Sequence, residues 1–307
     1  MSDIRVTYTG LILFIGGLIA LVTGGIFSLI LTRTLTPEEY GHWGLIFSVI
    51  SYFPLLMPVF GYWSTREIAR KIDSGKTSLL STIGFSVVVS AIFIPISLMI
   101  SSQTGTNQED FLFATILIPV IFVNAILSHI ALGYKPYVLS YNSISFGVVQ
   151  IIGVLFFVYF LDMGIVGIIL TLLLAHLGTI IILIICVHEK LKNTFKIEFL
   201  KKWLKLFWIS LYPSVYTILA ESTILIFTVM TGSIIGVAYW VVSGIVVSVI
   251  TPAGLISRAV YPKLLSNDSQ SFLRDNITYL FYFGILFTSI VIVFAKPGLF
   301  ILNPFYE

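Results

Sequence analysis

Charge is what this sequence has least of. Only 10% of its 307 residues are Asp, Glu, Lys or Arg, while 58% are hydrophobic; a soluble domain carries about 25% charged residues. No stretch stays polar long enough to build a separate soluble domain, which leaves a polytopic membrane protein as the default class. Cysteine is nearly missing. The single Cys186 excludes an internal disulfide and sits in an apolar run, where it packs. There is no glycine-rich phosphate loop, which sets ATP hydrolysis aside. The histidines and acids show no metal-ligand spacing, so neither metal nor cofactor is expected. The polar start MSDIRVTYTG precedes a long apolar run with no small-residue cleavage site, and is not expected to be a signal peptide.

What the sequence does have is length in its apolar runs. A spanning helix needs roughly 20 mostly apolar residues. Nine runs qualify, near 10–32, 41–63, 78–101, 111–132, 138–161, 164–187, 206–230, 233–257 and 277–295. The expected fold class is an all-α integral membrane protein with about nine transmembrane helices. Only Asp162 and Met163 join the fifth and sixth runs, which predicts a tight turn. With the N-terminus in the cytoplasm, fifteen of the 17 Lys and Arg residues fall inside and only Arg33 and Lys296 outside. That bias fixes the orientation by the positive-inside rule and predicts a multi-pass protein of the cytoplasmic membrane. Residues 196–207 (KIEFLKKWLKLF) place Ile197, Leu200, Trp203, Leu204 and Phe207 at helical spacing, with lysines opposite. This predicts an amphipathic helix in the cytoplasmic interface, dividing six spans from three.

The stretch "LTRTLTPEEYGHWG" interrupts the oil. Thr36 suits an N-cap, Pro37 the first helical position, and Glu39 completes a capping box. Gly41 and Gly44 leave one side of the new helix bare, so that another helix can approach closely. Prolines 54, 58, 95, 119, 213 and 252 fall inside predicted spans and are expected to bend them.

Two segments carry a resemblance. One is "RTLTPEEYGHWGLIFSVISYFPLLMPVFGYWSTREIAR", with Leu35 to Gly41 as its turn and Gly61, Arg66, Glu67 and Arg70 at its end. The other is "TGSIIGVAYWVVSGIVVSVITPAGLISRAVYPKL", with Gly236, Tyr239 and Pro262. Together they resemble the polysaccharide (O-antigen type) flippases of the multidrug, oligosaccharidyl-lipid and polysaccharide exporter superfamily. An internal repeat agrees with this: placing Gly41 over Gly236 also places Ser48 over Ser243. The resemblance implies a six-helix N-lobe (1–190), a cytoplasmic amphipathic linker helix (191–205) and a partial three-helix C-terminal lobe (206–307) of an inverted-V two-lobe transporter. Members have at least twelve spans, so the last three to five helices are expected to be missing, or supplied by a partner chain.

The resemblance also implies a substrate: a lipid-linked sugar of the polyprenyl-phosphate type, carried to the outer leaflet by alternating access. Membrane lipids are the other expected partner, and nucleic acid is not one. An anionic head group would be met by Arg33, Arg66 or Arg258. Glu221, the one acid inside a predicted span, is the candidate for ion coupling, because a charge at mid-bilayer is functional by default. Asn124, His129, Gln150 and His176 are further cavity candidates, or interhelical glue. No catalytic residue is expected. Three other readings compete. A multidrug, cation-coupled exporter of the same superfamily would want a more acidic or aromatic cavity. An integral-membrane glycosyltransferase or polymerase would need acids in sizeable outside loops, and the outside acids here sit in short turns. A non-transporting remnant would fold only with a partner.

Overall fold

In the computed structural model the described residues are 6–247 and 270–306, with some side chains inside helices excepted. A helix overlaps each of the nine apolar runs. They are α1 (Val6–Thr34), α2 (Pro37–Ser51), α3 (Pro58–Ala69), α4 (Gly75–Thr104), α5 (Gln108–Ala114), α6 (Leu117–Tyr134), α7 (Val138–Gly153), α8 (Gly164–Leu191), α9 (Ile197–Lys205), α10 (Phe207–Thr231), α11 (Ile234–Val247) and α12 (Gln270–Leu302). Among the described residues six helical segments are long and apolar enough to cross a membrane, and α2 with α3 makes a seventh. The chain is a multi-pass, all-α membrane protein.

Local chemistry explains where the helices begin and break. Thr36 caps α2 through the reciprocal pair predicted for it: Glu39 N donates to Thr36 Oγ1 at 3.2 Å, and Thr36 N donates to Glu39 Oε2 at 2.9 Å. The second run is not one straight span. It bends by 45° between α2 and α3, across a 3₁₀ turn at Phe53–Leu56 that contains Pro54 and is followed by Pro58. The fourth run also breaks, at Thr115 and Ile116. Pro119 lacks the N–H that would bond to the Thr115 carbonyl, so the helix restarts there. The last seven residues of the fifth run, Val154–Phe160, are wound as a π-helix. Asp162 takes a left-handed backbone in the short turn after it. α4 ends at Gly105, φ +67°, the usual glycine terminator.

Small residues set the helix contacts, as expected where lipid removes the hydrophobic drive between helices. α1 lies on α7 with Gly16 against Ser140 and Gly147 against Thr23. α3 lies on α6 with Gly133 against the Thr65 carbonyl and Gly61 against the His129 ring. α8 packs on both α6 and α7. The bare face of α2 meets α11: a Cβ on Gly41 would run into the Ile234 carbonyl, and one on Gly44 would lie 2.8 Å from Val241.

Several described basic residues meet at one end of the bundle. Lys190 pairs with Asp73 at 3.5 Å, Tyr134 donates to Glu189, and Lys196 N donates to Thr77. α9 crosses this end. Its Trp203 is fully buried and stacks on Phe199 at 5.9 Å, while Ile197 and Leu204 stay half exposed. Trp203 Nε1 and Lys202 Nζ both donate to Oε1 of Glu67, at 3.3 and 3.1 Å. Glu67 is itself 3% exposed, and its second oxygen is buried without a partner. Glu221 is therefore not the only acid placed within the helical body. α3 runs to Ala69, beyond the predicted end of the span at 63, and carries Glu67 inside.

Candidate functional site

A cavity of about 630 Å³ lies between α1, α2 and α11, a volume in the usual range of small-molecule sites. α1 contributes Leu21, Gly24, Gly25 and Ser28, which recur at helical spacing on one face. The opposite face of α1 holds Thr23 against α7. α2 contributes Trp43, Phe47 and Ser48, and α11 contributes Trp240, Val241 and Gly244. Trp43 lies 5.6 Å from Phe47, and Trp240 lies 6.0 Å from Phe227 of α10. No charged side chain is among the described residues lining the cavity. Its walls are indole faces, aliphatic groups, exposed glycine backbone and two hydroxyls, one of which, Ser48 Oγ, is taken by the Leu45 carbonyl at 2.8 Å. Such a site suits a ring-bearing amphipathic molecule, since indole faces attract both flat rings and cations. A second depression of about 450 Å³ is lined by α12 alone; a single helix encloses nothing.

One turn beyond Ser28, a cluster of hydrogen bonds joins α1 to the end of α12. Arg33 donates to the Ile301 carbonyl at 3.2 Å (Nε) and 2.7 Å (a terminal guanidinium nitrogen). Thr32 Oγ1 donates to the Leu302 carbonyl at 3.1 Å, and Asn303 Nδ2 donates to the Thr32 carbonyl at 2.6 Å. Tyr239 of α11 adds a bond to the Phe305 carbonyl at 3.0 Å. The carbonyls that accept at Ile301 and Leu302 are the orphan groups of a helix C-terminus, which attract cations and donors. Beside them Tyr306 is 3% exposed. Burial, reinforced by Tyr239 and Glu38, pushes its hydroxyl up to about 12.

The candidates named from sequence lie elsewhere. Arg33 is in the hydrogen-bonded cluster at the end of α12. Arg66 is exposed at the basic end, 3.4 Å from the Tyr62 hydroxyl and 5.9 Å from the centre of the Trp63 ring. Asn124 donates to Thr179 at 2.6 Å and to Asn142 at 3.5 Å, bridging α6, α8 and α7. His129 faces Thr65, 3.2 Å from Nδ1 to the hydroxyl. His176 packs on Phe146, ring centres 4.8 Å apart, and its Nδ1 is buried without a partner. Gln150 is 8% exposed in α7. Glu221 lies in α10, its side chain outside the described residues, and Arg258 lies outside them altogether. None of the candidates is among the described residues lining the cavity. Trp43, Phe47 and Trp240 were not singled out from sequence. The available signal was their helical spacing from the bare glycines on the same two helices.

Helices enclosing a cleft within a multi-pass bundle define a membrane protein built around an internal site. No family model matches the sequence, and no curated protein does. Solved structures do resemble it. An inward-facing conformation of a multidrug resistance MATE family transporter of the MOP superfamily superposes with a TM-score of 0.74 at 17% identity, covering 92% of this chain and 72% of that one. An outward-facing conformation of a MATE family transporter gives 0.67 at 17% identity, with 94% and 71% covered. A MOP superfamily transporter from Pyrococcus furiosus, reported to have a binding pocket of reverse polarity, gives 0.64 at 15% identity, with 94% and 71% covered. The fold is that of the MOP superfamily transporters.

Proposed function

We propose that this chain is a membrane transporter, not an enzyme, and that it exports ring-bearing amphipathic compounds from the cytoplasmic side by alternating access. The observation that carries the reading is the cavity between α1, α2 and α11, whose described lining is aromatic and carries no charge. The positive-inside rule makes the basic end cytoplasmic, with the N-terminus on the same side in the cytoplasmic membrane. The hydrogen bonds between α1 and the end of α12 then lie at the outer side. Residues 1–190 and 206–307 act as the two rocking units, joined by the linker 191–205 that contains α9. Glu221, within α10, couples the motion to an ion gradient.

The aromatic lining favours the multidrug branch over the lipid-linked saccharide branch. An anionic pyrophosphate head group would want the arginines, and Arg33 and Arg66 point to other duties. The saccharide reading keeps the resemblance of its two segments, that of the "LTPEEYG" turn, whose capping box is fully formed, and that around Gly236, Tyr239 and Pro262. Everted membrane vesicles decide between the two. Gradient-driven accumulation of a fluorescent aromatic cation, abolished when Glu221 is replaced by Gln, is the expected result. Translocation of a polyprenyl-linked sugar without any accumulation of the cation would transfer the assignment to the saccharide branch.

A further inference from the structure

Among the described glycines inside helices, some sit against a neighbouring helix and some face open space. At Gly41, Gly44, Gly16, Gly61 and Gly147 an added Cβ would come within 3 Å of a neighbouring helix. These glycines are needed for close approach. At Gly24 and Gly25 of α1 and at Gly244 of α11 an added Cβ would meet no atom within 4 Å. Glycine weakens a helix relative to alanine, so helix packing gives no reason for its use there. All three line the same cavity as Trp43 and Trp240, with Gly244 one turn from Trp240 on α11. The open space beside each of them is the cavity itself.

We infer that Gly24, Gly25 and Gly244 set the size limit of the ligand that the cavity takes. Their missing side chains leave room for the ring system that lies against the indoles, and each methyl group added there removes room from the ligand rather than from the fold. The inference rests on the functional reading above, because it assumes that this cavity takes the ligand. It adds what that reading leaves open, namely which residues choose between small and large ligands. A hinge role for the same glycines predicts something different. Alanine and valine would then both impair the protein, to the same extent for every ligand.

The experiment uses the purified full chain and three planar cations of increasing width: N-methylpyridinium, N-methylquinolinium and N-methylacridinium. Binding is read from tryptophan fluorescence, and transport from uptake into proteoliposomes. The variants are Gly24→Ala, Gly24→Val and Gly244→Val. Gly84→Val serves as the control, since Gly84 is exposed and also has nothing within 4 Å. The expected result is a graded one. The widest cation loses about tenfold in affinity in the valine variants and less in Gly24→Ala. The narrowest stays within about twofold, and the control is unchanged. Equal loss for all three cations, or no loss for any, overturns the inference while leaving transport intact as a separate result. Graded binding without transport keeps the inference and removes the transporter reading. A wild-type chain that binds none of the three overturns both.

Discussion

In the proposed orientation three side chains tie α1 to the end of α12 at the outer side, and removing them has a calculable effect on outward opening. Thr32→Val deletes the hydroxyl that reaches the Leu302 carbonyl, Asn303→Ala deletes the amide that reaches the Thr32 carbonyl, and Arg33→Gln removes the guanidinium from the Ile301 carbonyl. A hydrogen bond in a folded protein contributes about 1 kcal/mol net. The Arg33 contact is exposed and contributes less, through solvent screening. The three positions touch one another, so their effects are not additive. A combined cost of about 2 kcal/mol to the closed state is the reasonable figure, which multiplies the outward-open fraction about thirtyfold. The assay is labelling of a cavity cysteine from the outer side. Replacing the single native cysteine by Cys186→Ser leaves a background in which Ser28→Cys, on the cavity wall, is the only thiol. An impermeant maleimide applied outside should label Ser28→Cys about thirty times faster in the triple variant. A Gly84→Cys control should not change. An unchanged Ser28→Cys rate would refute the claim that these bonds hold the outer end shut.

Other positions give independent checks. Trp203 is the one fully buried side chain of α9, and Trp203→Ala should cost about 3–5 kcal/mol, seen as a marked fall in the midpoint of thermal unfolding in detergent. Glu67→Gln should lower that midpoint less, and a double-mutant cycle of Glu67→Gln with Lys202→Met should show coupling, because the two side chains share one hydrogen bond at 3.1 Å. Gly105→Ala should destabilise by about 1 kcal/mol while Gly105→Asn is nearly neutral, because the position needs a left-handed backbone at φ +67° and has open space around it. Tyr306 should titrate near 12 in a phenolate absorbance difference against Tyr306→Phe. Its folded value lies above the ordinary 10.0, so the stability it contributes is complete below pH 10 and is lost as pH rises from there towards 12.

Local features of this protein were legible in the sequence. The capping box at Thr36 and Glu39, the short turn at Asp162 and Met163, the amphipathic α9 and the bare face at Gly41 and Gly44 all follow from residues close together in the chain. What could not be read was the identity of partners far apart in sequence. Nothing near Glu67 announces that Lys202 and Trp203, about 135 positions away, will cover its carboxylate. Gly41 predicts a close helix, but not that the helix is α11. Gly24 and Gly244 look like the packing glycines until the space beside them is known, since one residue type serves close approach in one place and an opening in another. The bend at Pro54 and Pro58 was expected only as a bend. Its 45°, and the π-wound end of the fifth run, are set by packing rather than by local propensity.

Transport as proposed requires the cavity between α1, α2 and α11 to open outward. The most direct test is a reversible lock across the outer end. In the Cys186→Ser background, Thr32→Cys and Asn303→Cys would be bridged with a short bis-thiosulfonate reagent. Uptake of the aromatic cation into proteoliposomes should stop on cross-linking and return on reduction, while binding of the cation from the basic side persists throughout. Undiminished uptake with the bridge in place would contradict the claim.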